Sequence, residues 1–434
     1  MHPARTSRRM KVHSYIANSG PRVGALMLIV ICTLLLIAAR PALAQTETVL
    51  YNFAGGSDGN NPDSTLTSDG VGNFYGTTNF GGTAGGLGYG TVFELSPNGG
   101  GGWNETVLYR FTGGADGASP AAGSNLIFDS LGSLYGTTYS GGANGVGVVF
   151  KLSRSGTSWT ETVLYSFAGG TGGANPRRGL IFDPARNLYG TTSTGGANGL
   201  GTAFELSSSG GHWREQVIYA FSTTIGCSPG AAGLTMNAAG NIFGVGCETV
   251  FELSPNGKGG WNSAAIYTFP GYLRDGVDPQ GTPVLDKAGH LYGTTWAGGS
   301  NNHGMVYQLS PGKTGWTEKS LYSFKGPKKD VNGPGDLVLD TAGNLYGATP
   351  YGGGAGSYGA IFELVAPAGT GRYTERILWS FEDIYMYQDG IEPVAGLVLD
   401  GAGNLYGTTS IGGNILTGFC GPYNGCGVVF EVTP

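Results

Sequence analysis

Histidine and cysteine are scarce in this chain of 434 residues, which contains five of each. After residue 44 the histidines are His212, His290 and His303, which are too far apart in sequence to match the closely spaced ligands of a zinc site. The same region lacks the sustained 3.6-residue hydrophobic periodicity of amphipathic helices. We therefore expect no metal site, no cofactor and no long helix.

Basic residues are also few outside the N-terminus. Residues 1–44 contain six of the 23 Lys and Arg and none of the 29 Asp and Glu, so residues 45–434 have 17 basic against 29 acidic side chains, a formal charge of −12. An acidic surface without a basic run repels phosphate backbones, which excludes nucleic acid as an expected partner. Residues 45–434 also lack an apolar run long enough to span a bilayer. We expect the protein to be a monomer.

The first 44 residues differ from the rest. A basic segment precedes an apolar run over 23–39, and Ala42-Leu43-Ala44 then matches the small-residue pattern of a signal-peptide cleavage site. We predict a signal peptide over 1–44, with an uncleaved anchor as the alternative. The mature domain, 45–434, is then exported to the periplasm or to the extracellular space.

Glycine is abundant, at 83 residues, and aromatic and β-branched residues recur between the glycines at fixed offsets. Three strand-like segments each occur seven times, with a period of about 55 residues. The aromatic of the LYGTT-like segment is found at Tyr75, Tyr135, Tyr189, Phe243, Tyr292, Tyr346 and Tyr406. The VFEL-like segment centres on Phe93, Phe150, Phe204, Phe251, Tyr307, Phe362 and Phe430. The VLYxF-like segment ends at Phe53, Phe111, Phe167, Phe221, Phe269, Phe324 and Phe381.

A fourth segment, typified by GLIFD, precedes each LYGTT. Four short apolar segments per repeat, separated by turn residues, are typical of strands, and seven such units predict an all-β, seven-bladed propeller of four-stranded blades. A linear β-solenoid is the alternative. We name the strands a (GLIFD), b (LYGTT), c (VFEL) and d (VLYxF). The residues from 45 begin with a d strand and the chain closes on a c strand, so we expect the N-terminal strand to complete the last blade.

These residues resemble the GloVer tandem-repeat family of exported bacterial proteins, which carry varied surface anchors. The resemblance rests on GNLYGTT, GG-x-x-G-x-G-T-V-F-E-L and W-x-E-x-V-L-Y-x-F, and it covers essentially all of residues 45–434. It implies export and repetition, and it implies no particular chemistry.

In antiparallel blades the b–c and d–a connections share one face, and we expect any ligand site there. Aromatic residues that follow strand b differ from blade to blade, and the last b–c loop adds two more. The predicted ligand-contacting aromatics are Phe80, Tyr139, Trp296, Tyr351, Phe419 and Tyr423. Four d–a loops contribute Asp58, Asp116, Asp275 and Asp389. Aromatic planes could stack on sugar rings while carboxylates accept hydroxyl hydrogen bonds. The alternative is that the aromatics cover neighbouring loops and the aspartates form turns.

Four cysteines remain after residue 44, and an exported protein can form disulfides. Cys227 and Cys247 are expected on one face of one blade, and Cys420 and Cys426 share one loop. We predict the pairs Cys227–Cys247 and Cys420–Cys426.

The sequence thus favours an exported, non-catalytic propeller that binds a polysaccharide or a cell-envelope protein through its b–c/d–a face. One alternative is a propeller hydrolase or lyase with a site at the mouth of the central tunnel. For that role strand a offers only scattered candidates, Arg177, Arg178 and Asp336. A purely structural envelope protein is the other alternative. No catalytic residue is predicted.

Overall fold

The computed structural model describes residues 45–85, 88–120, 125–223, 232–271, 275–327, 330–354, 358–382, 389–413, 420 and 425–434. The predicted signal peptide lies outside these residues. The described part is all-β, with one short 3-10 turn at Gly170–Gly172 and no α-helix. Its strands form seven antiparallel four-stranded blades, so the predicted seven-bladed propeller is confirmed.

Each blade has the strand order a-b-c-d. The a strands are β2 (Thr67–Ser68), β7 (Ile127–Phe128), β12 (Ile181–Phe182), β16 (Thr235–Met236), β20 (Gly276–Leu285), β25 (Leu337–Leu339) and β30 (Val398–Leu399). The b strands are β3 (Phe74–Thr78), β8 (Leu134–Ser140), β13 (Leu188–Thr194), β17 (Ile242–Gly246), β21 (Leu291–Gly298), β26 (Leu345–Thr349) and β31 (Leu405–Thr409).

The c strands are β4 (Thr91–Pro97), β9 (Val148–Ser155), β14 (Thr202–Ser209), β18 (Thr249–Pro255), β22 (Met305–Gly312), β28 (Ala360–Val365) and β32 (Val428–Thr433). The d strands are β1 (Thr46–Asn52), β5 (Trp103–Arg110), β10 (Ser158–Ser166), β15 (His212–Ala220), β19 (Trp261–Thr268), β23 (Gly315–Ser323) and β29 (Thr374–Ser380). Four short strands lie in the connections: β6 (Ala118–Pro120), β11 (Ala174–Pro176), β24 (Val331–Asn332) and β27 (Tyr351–Gly352). Blade 1 begins with β2, and blade 7 comprises β30, β31, β32 and β1.

Side-chain packing explains why each LYGTT strand contains a glycine. An ideal Cβ built on Gly136 would lie 2.7 Å from Cζ of Phe150, the aromatic of strand c in the same blade. Any side chain at this position would displace the ring, so strand b needs glycine here. The same contact recurs in every blade, at Gly76, Gly136, Gly190, Gly244, Gly293, Gly347 and Gly407.

Neighbouring blades meet through a second repeated contact. The phenylalanine that ends strand d packs edge-to-face on the strand c aromatic of the next blade, with ring centroids 5.1–5.2 Å apart. The seven pairs are Phe53–Phe93, Phe111–Phe150, Phe167–Phe204, Phe221–Phe251, Phe269–Tyr307, Phe324–Phe362 and Phe381–Phe430. The VLYxF and VFEL patterns therefore encode the junctions between blades.

The ring closes through its first strand. Strand β1 pairs antiparallel with β32, from Thr46 opposite Thr433 to Asn52 opposite Val428. Phe53, directly after β1, makes the seventh ring contact with Phe93 of blade 1. The predicted completion of the last blade by the N-terminal strand is confirmed.

Blade 5 has tyrosine where the other six have phenylalanine. The Tyr307 side chain is fully buried, and within the described residues its hydroxyl has no hydrogen-bond partner. Because an unpaired buried hydroxyl costs about 1–3 kcal/mol, Tyr307→Phe should raise the free energy of unfolding by a similar amount, measured by denaturant titration. The control is Tyr292→Phe, which removes a hydroxyl that donates to Asp286 and accepts from Gln308, and it should lower stability. A Tyr307→Phe protein less stable than wild type would contradict this account.

Candidate functional site

The d–a and b–c connections meet on one face of the propeller. In blade 1 the backbones of Asn60 and Phe80 form a β-bridge, and the amide of Gly82 donates to the carbonyl of Gly56. The loops are thus fixed to each other by backbone hydrogen bonds. We call this surface the loop face.

The loop face holds most of the exposed aromatic residues of the described chain. Phe80, Trp296 and Tyr351 are 50%, 39% and 47% exposed, whereas Tyr139 is half-buried. Tyr89 and Tyr358 are also exposed, and the sequence analysis missed them. Their position in the repeat could have identified them, because each directly precedes the last glycine of a b–c connection.

Trp296 and Tyr351 form a pair across the boundary between blades 5 and 6. Their ring centroids lie 6.2 Å apart at an interplanar angle of 83°. Trp296 rests on the backbone of Gly333, where an ideal Cβ would lie 2.9 Å from the indole ring. Gly333 also has a φ of 68°, which glycine adopts without strain. The two rings are therefore held in place and remain open to solvent.

Tyr139 is engaged differently. The guanidinium of Arg177 lies over its ring, 5.4 Å from the centroid, and its backbone carbonyl accepts from the side-chain amide of Asn175 at 3.0 Å. The ring of Tyr139 is thus already covered by a neighbouring cation.

The four predicted aspartates hold the d–a loops. Oδ2 of Asp58 accepts from the hydroxyl of Tyr51 at 3.1 Å and from the amide of Ala54 at 2.8 Å. Asp116 accepts from Tyr109 and Asp275 accepts from Tyr267 in the same way, whereas at Asp389 the equivalent strand d residue is Trp379, whose indole nitrogen has no hydrogen-bond partner within the described residues. These contacts support the turn-forming alternative. The structure ties Asp58, Asp116 and Asp275 to strand d and does not pair them with the exposed aromatics.

Sequence reasoning missed the groups that face these aspartates. Asp330 fills the equivalent place in blade 6, where its Oδ2 accepts from Tyr322 at 2.9 Å. Each such loop is approached by a glutamate from strand d of the next blade. This glutamate lies two residues after the tryptophan of that strand, or after the residue that replaces the tryptophan. These are Glu47, Glu105, Glu161, Glu215, Glu318 and Glu375, and each has one buried, unpartnered carboxyl oxygen within the described structure. The repeated W-x-E pattern was the available signal.

Burial raises the pKa of these glutamates. The pKa of Glu105 is raised to about 8, mainly by desolvation and then by the negative charge of Asp58. Desolvation followed by Asp389 does the same for Glu47, also to about 8. Burial thus raises the carboxyl pKa at all six of these blade junctions.

The cysteine and last-loop predictions lie partly outside the described residues. Cys420 and Cys426 form a disulfide with Cα atoms 5.3 Å apart. Cys247 is disulfide-bonded, but its predicted partner Cys227 is not among the described residues. Phe419 and Tyr423 likewise lie outside them.

The start of strand a in every blade surrounds a small axial cavity of 180 Å³. Seven equivalent residues line it: Thr65, Asn125, Gly179, Gly233, Thr282, Asp336 and Gly396. Nη1 of Arg178 in blade 3 reaches Oδ2 of Asp336 in blade 6, at 3.2 Å. Two of the scattered strand a candidates are thus brought together across the axis.

Asp63, near the start of strand a in blade 1, is the most deeply buried carboxylate near the axis. It is 7% exposed, and its Oδ2 accepts from the side-chain amide of Asn79 at 2.9 Å. Desolvation raises its pKa to about 7, and the nearby charge of Arg178 partly opposes that rise. Among the described residues, no three His, Cys, Asp or Glu side chains cluster as metal ligands would. In the same part of the chain, no helix has the length and apolarity needed to cross a bilayer.

A family model described as the Gloeobacter/Verrucomicrobia repeat matches residues 40–248 and again 245–434. No curated protein matches the chain. Among solved structures, virginiamycin B lyase from Staphylococcus aureus is similar at a TM-score of 0.51 and 14% identity, covering 90% of this chain and 99% of the lyase. The extracellular domain of a hybrid two-component system from B. thetaiotaomicron is similar at 0.52 and 12% identity, covering 90% of this chain and 42% of that one. At these identities the likeness is one of fold.

Proposed function

Because the chain belongs to the Gloeobacter/Verrucomicrobia repeat family and folds as a seven-bladed propeller, we propose that it is a non-catalytic protein that binds a glycan through its loop face. Residues 1–44 serve as its export signal in this proposal, and the mature domain acts in the periplasm or outside the cell. The observation that carries the proposal is the exposed pair of Trp296 and Tyr351.

This pair has the properties that sugar stacking requires. The rings are fixed by Gly333 and by each other, so little side-chain entropy is lost when a ligand binds. Their perpendicular arrangement offers one flat surface and one edge, which suits the apolar face and the hydroxyl rim of a pyranose. Adjacent exposed aromatics that form a contiguous apolar surface commonly mark such contact sites.

The catalytic alternative has one observation in its favour, the raised pKa of Asp63 near the axis, at a value suited to general acid–base work. Two features count against it. Asp63 is almost fully buried, and Arg178 and Asp336 neutralise each other in the tunnel. A binding role therefore accounts for more of the described residues than a lyase or hydrolase role does.

The test is the variant Trp296→Ala/Tyr351→Ala, compared with wild type for retention on immobilised polysaccharides. We expect a melting temperature close to that of wild type and at least about tenfold weaker binding, the effect of losing about 1.4 kcal/mol. Leu131→Ala is the control, since this residue is 86% exposed on the a–b turn, away from the loop face.

Two results would count against the proposal. If the double variant melts much lower and still binds, the rings have a packing role. If wild-type protein shows no saturable binding to any glycan or envelope extract, the purely structural alternative replaces the proposal.

A further inference from the structure

A cleft of 620 Å³ lies between blades 5 and 6. Strand β23 of blade 5 forms one side and contributes Lys319, and the β28–β29 hairpin of blade 6 contributes Arg372. Ser300 and Asn301, in the connection between β21 and β22, line its end at the loop face. The segment 296–301 contributes both Trp296, in β21, and the two residues Ser300 and Asn301 at the loop-face end of the cleft, so one connection links the aromatic pair to the cleft.

The cleft is positively charged in an otherwise acidic protein. Its lining includes Lys319, Lys325 and Arg372 and no acidic side chain. Within the described structure, neither Lys319 nor Arg372 lies within 4.0 Å of a carboxylate oxygen. Lys325 lies 4.0 Å from the buried Asp330. Among the described residues, Lys319 and Arg372 thus present two unpaired positive charges on one concave surface, which attracts an anionic ligand.

The walls of the cleft are held by hydrogen bonds that do not involve the side chains of Lys319 and Arg372. The side-chain amide of Asn301 donates to the carbonyl of Phe324 at 3.1 Å, and the amide of Ser300 donates to Oγ of Ser323 at 3.2 Å. On the opposite side the hydroxyl of Tyr373 donates to a backbone carbonyl of the same blade, at 3.2 Å. A pre-shaped cleft pays less ordering entropy on binding than a flexible one does.

We propose that this cleft binds the carboxylate or sulfate groups of an acidic polysaccharide, whose neighbouring sugar rings stack on Trp296 and Tyr351. The proposal rests on the proposed function and specifies its ligand class. Residues 319–325 extend over about 20 Å of chain, which exceeds the length of one sugar. A polymer can contact several points along this wall at once, whereas a single small anion cannot.

The experiment uses two matched pairs of polymers. Polygalacturonate is compared with its fully methyl-esterified form, and dextran sulfate with dextran, so that each pair differs in charge and the two pairs separate carboxylate from sulfate recognition. Binding of the full mature protein is measured at low and at high salt. The cleft variant is Lys319→Ala/Arg372→Ala, and the control is Lys258→Ala/Lys287→Ala, which removes the same charge from exposed sites outside the cleft.

We expect at least one charged polymer to bind about tenfold more tightly than its neutral partner, with the preference weakened by salt, abolished in the cleft variant and kept in the control. Equal binding of charged and neutral polymers would overturn the cleft proposal and leave the proposed function standing. Charge-selective binding that needs the cleft but survives Trp296→Ala/Tyr351→Ala would support the cleft and overturn the stacking role. Equal loss in the cleft and control variants would show a diffuse charge effect and overturn the cleft proposal. Absence of binding to all four polymers would overturn it as well.

Discussion

A chain that starts at Ala54 will lose cooperative unfolding and aggregate, because it lacks β1. Without β1, the c strand of blade 7 has an unpaired edge from Val428 to Thr433, and exposed edges recruit strands of other chains. The deletion also removes the buried side chains of Leu50 and Phe53. Burial of two such side chains contributes about 3–6 kcal/mol, a large part of the stability of an ordinary domain. Thermal unfolding and light scattering will show the loss.

The matched control for this deletion keeps every residue of the mature domain. It starts at Ala54 and carries residues 45–53 after Pro434, joined by a short turn like those of the other c–d hairpins. This chain can form the same β32–β1 pairing from a local hairpin, so we expect it to be folded and monomeric. If the truncated chain melts like the mature protein, the N-terminal strand does not secure the ring.

Stability will rise as the pH falls from 9 to 5. The pKa of five junction glutamates is raised in the folded protein, to about 7 for Glu161 and Glu318 and to about 8 for Glu47, Glu105 and Glu375, first by desolvation and then by a facing aspartate. A raised carboxyl pKa gives stability that is fully present below the unfolded value, near 4.5, and is lost as the pH rises through the folded value.

The size of this effect follows from its repetition. Solvent screening reduces the contribution of each junction to the free energy of unfolding to about 0.5–1 kcal/mol. The five junctions together therefore shift the temperature midpoint of unfolding by roughly 5 °C between pH 9 and pH 5. Below pH 4 the trend reverses. At Asp129, hydrogen bonds from turn amides outweigh desolvation and lower the pKa, so its contribution is lost in acid.

Replacing a junction glutamate by neutral glutamine distinguishes the pH effect of the junctions from that of other titrating groups. Glu105→Gln should stabilise the protein at pH 9 and flatten the pH dependence, since glutamine needs no charged form and its amide can donate to Asp58. Glu248→Gln, at an exposed position outside these junctions, should leave both unchanged. The junction carboxyls do not control stability if the unfolding temperature decreases as the pH is lowered from 9 to 5. Equal effects of Glu105→Gln and Glu248→Gln would lead to the same conclusion.

The fold could be predicted because each blade repeats the same strand patterns. The Gly136–Phe150 contact illustrates this, since the glycine recurs in all seven units and the aromatic is phenylalanine in six of them and tyrosine in blade 5. The blade 7 closure followed from the order of the patterns at the two ends. Burial and strand pairing within a repeat can thus be recognised from the sequence alone.

The candidate site was less predictable, because it depends on contacts between different repeats. Arg178 and Asp336 are 158 positions apart in the chain, and only the ring brings them together. Asp58 looked available for a ligand, but a repeated Tyr hydroxyl and a loop amide already occupy one of its oxygens. The aromatic pair Trp296 and Tyr351 joins residues from two blades, and no pattern within one repeat encodes their distance.

The glycine of strand b and the aromatic that covers it belong to the same blade, so this contact survives when a blade is duplicated, lost or exchanged. The edge-to-face contacts are different, because each joins one blade to the next through residues that all seven blades share. Any blade can therefore follow any other without a new interface. The copy number of the repeat is then set by the angle at the junctions and by closure of the ring, and not by the interior of the unit. A gain or loss of one unit would therefore leave both kinds of contact unchanged and would alter only whether the ring closes.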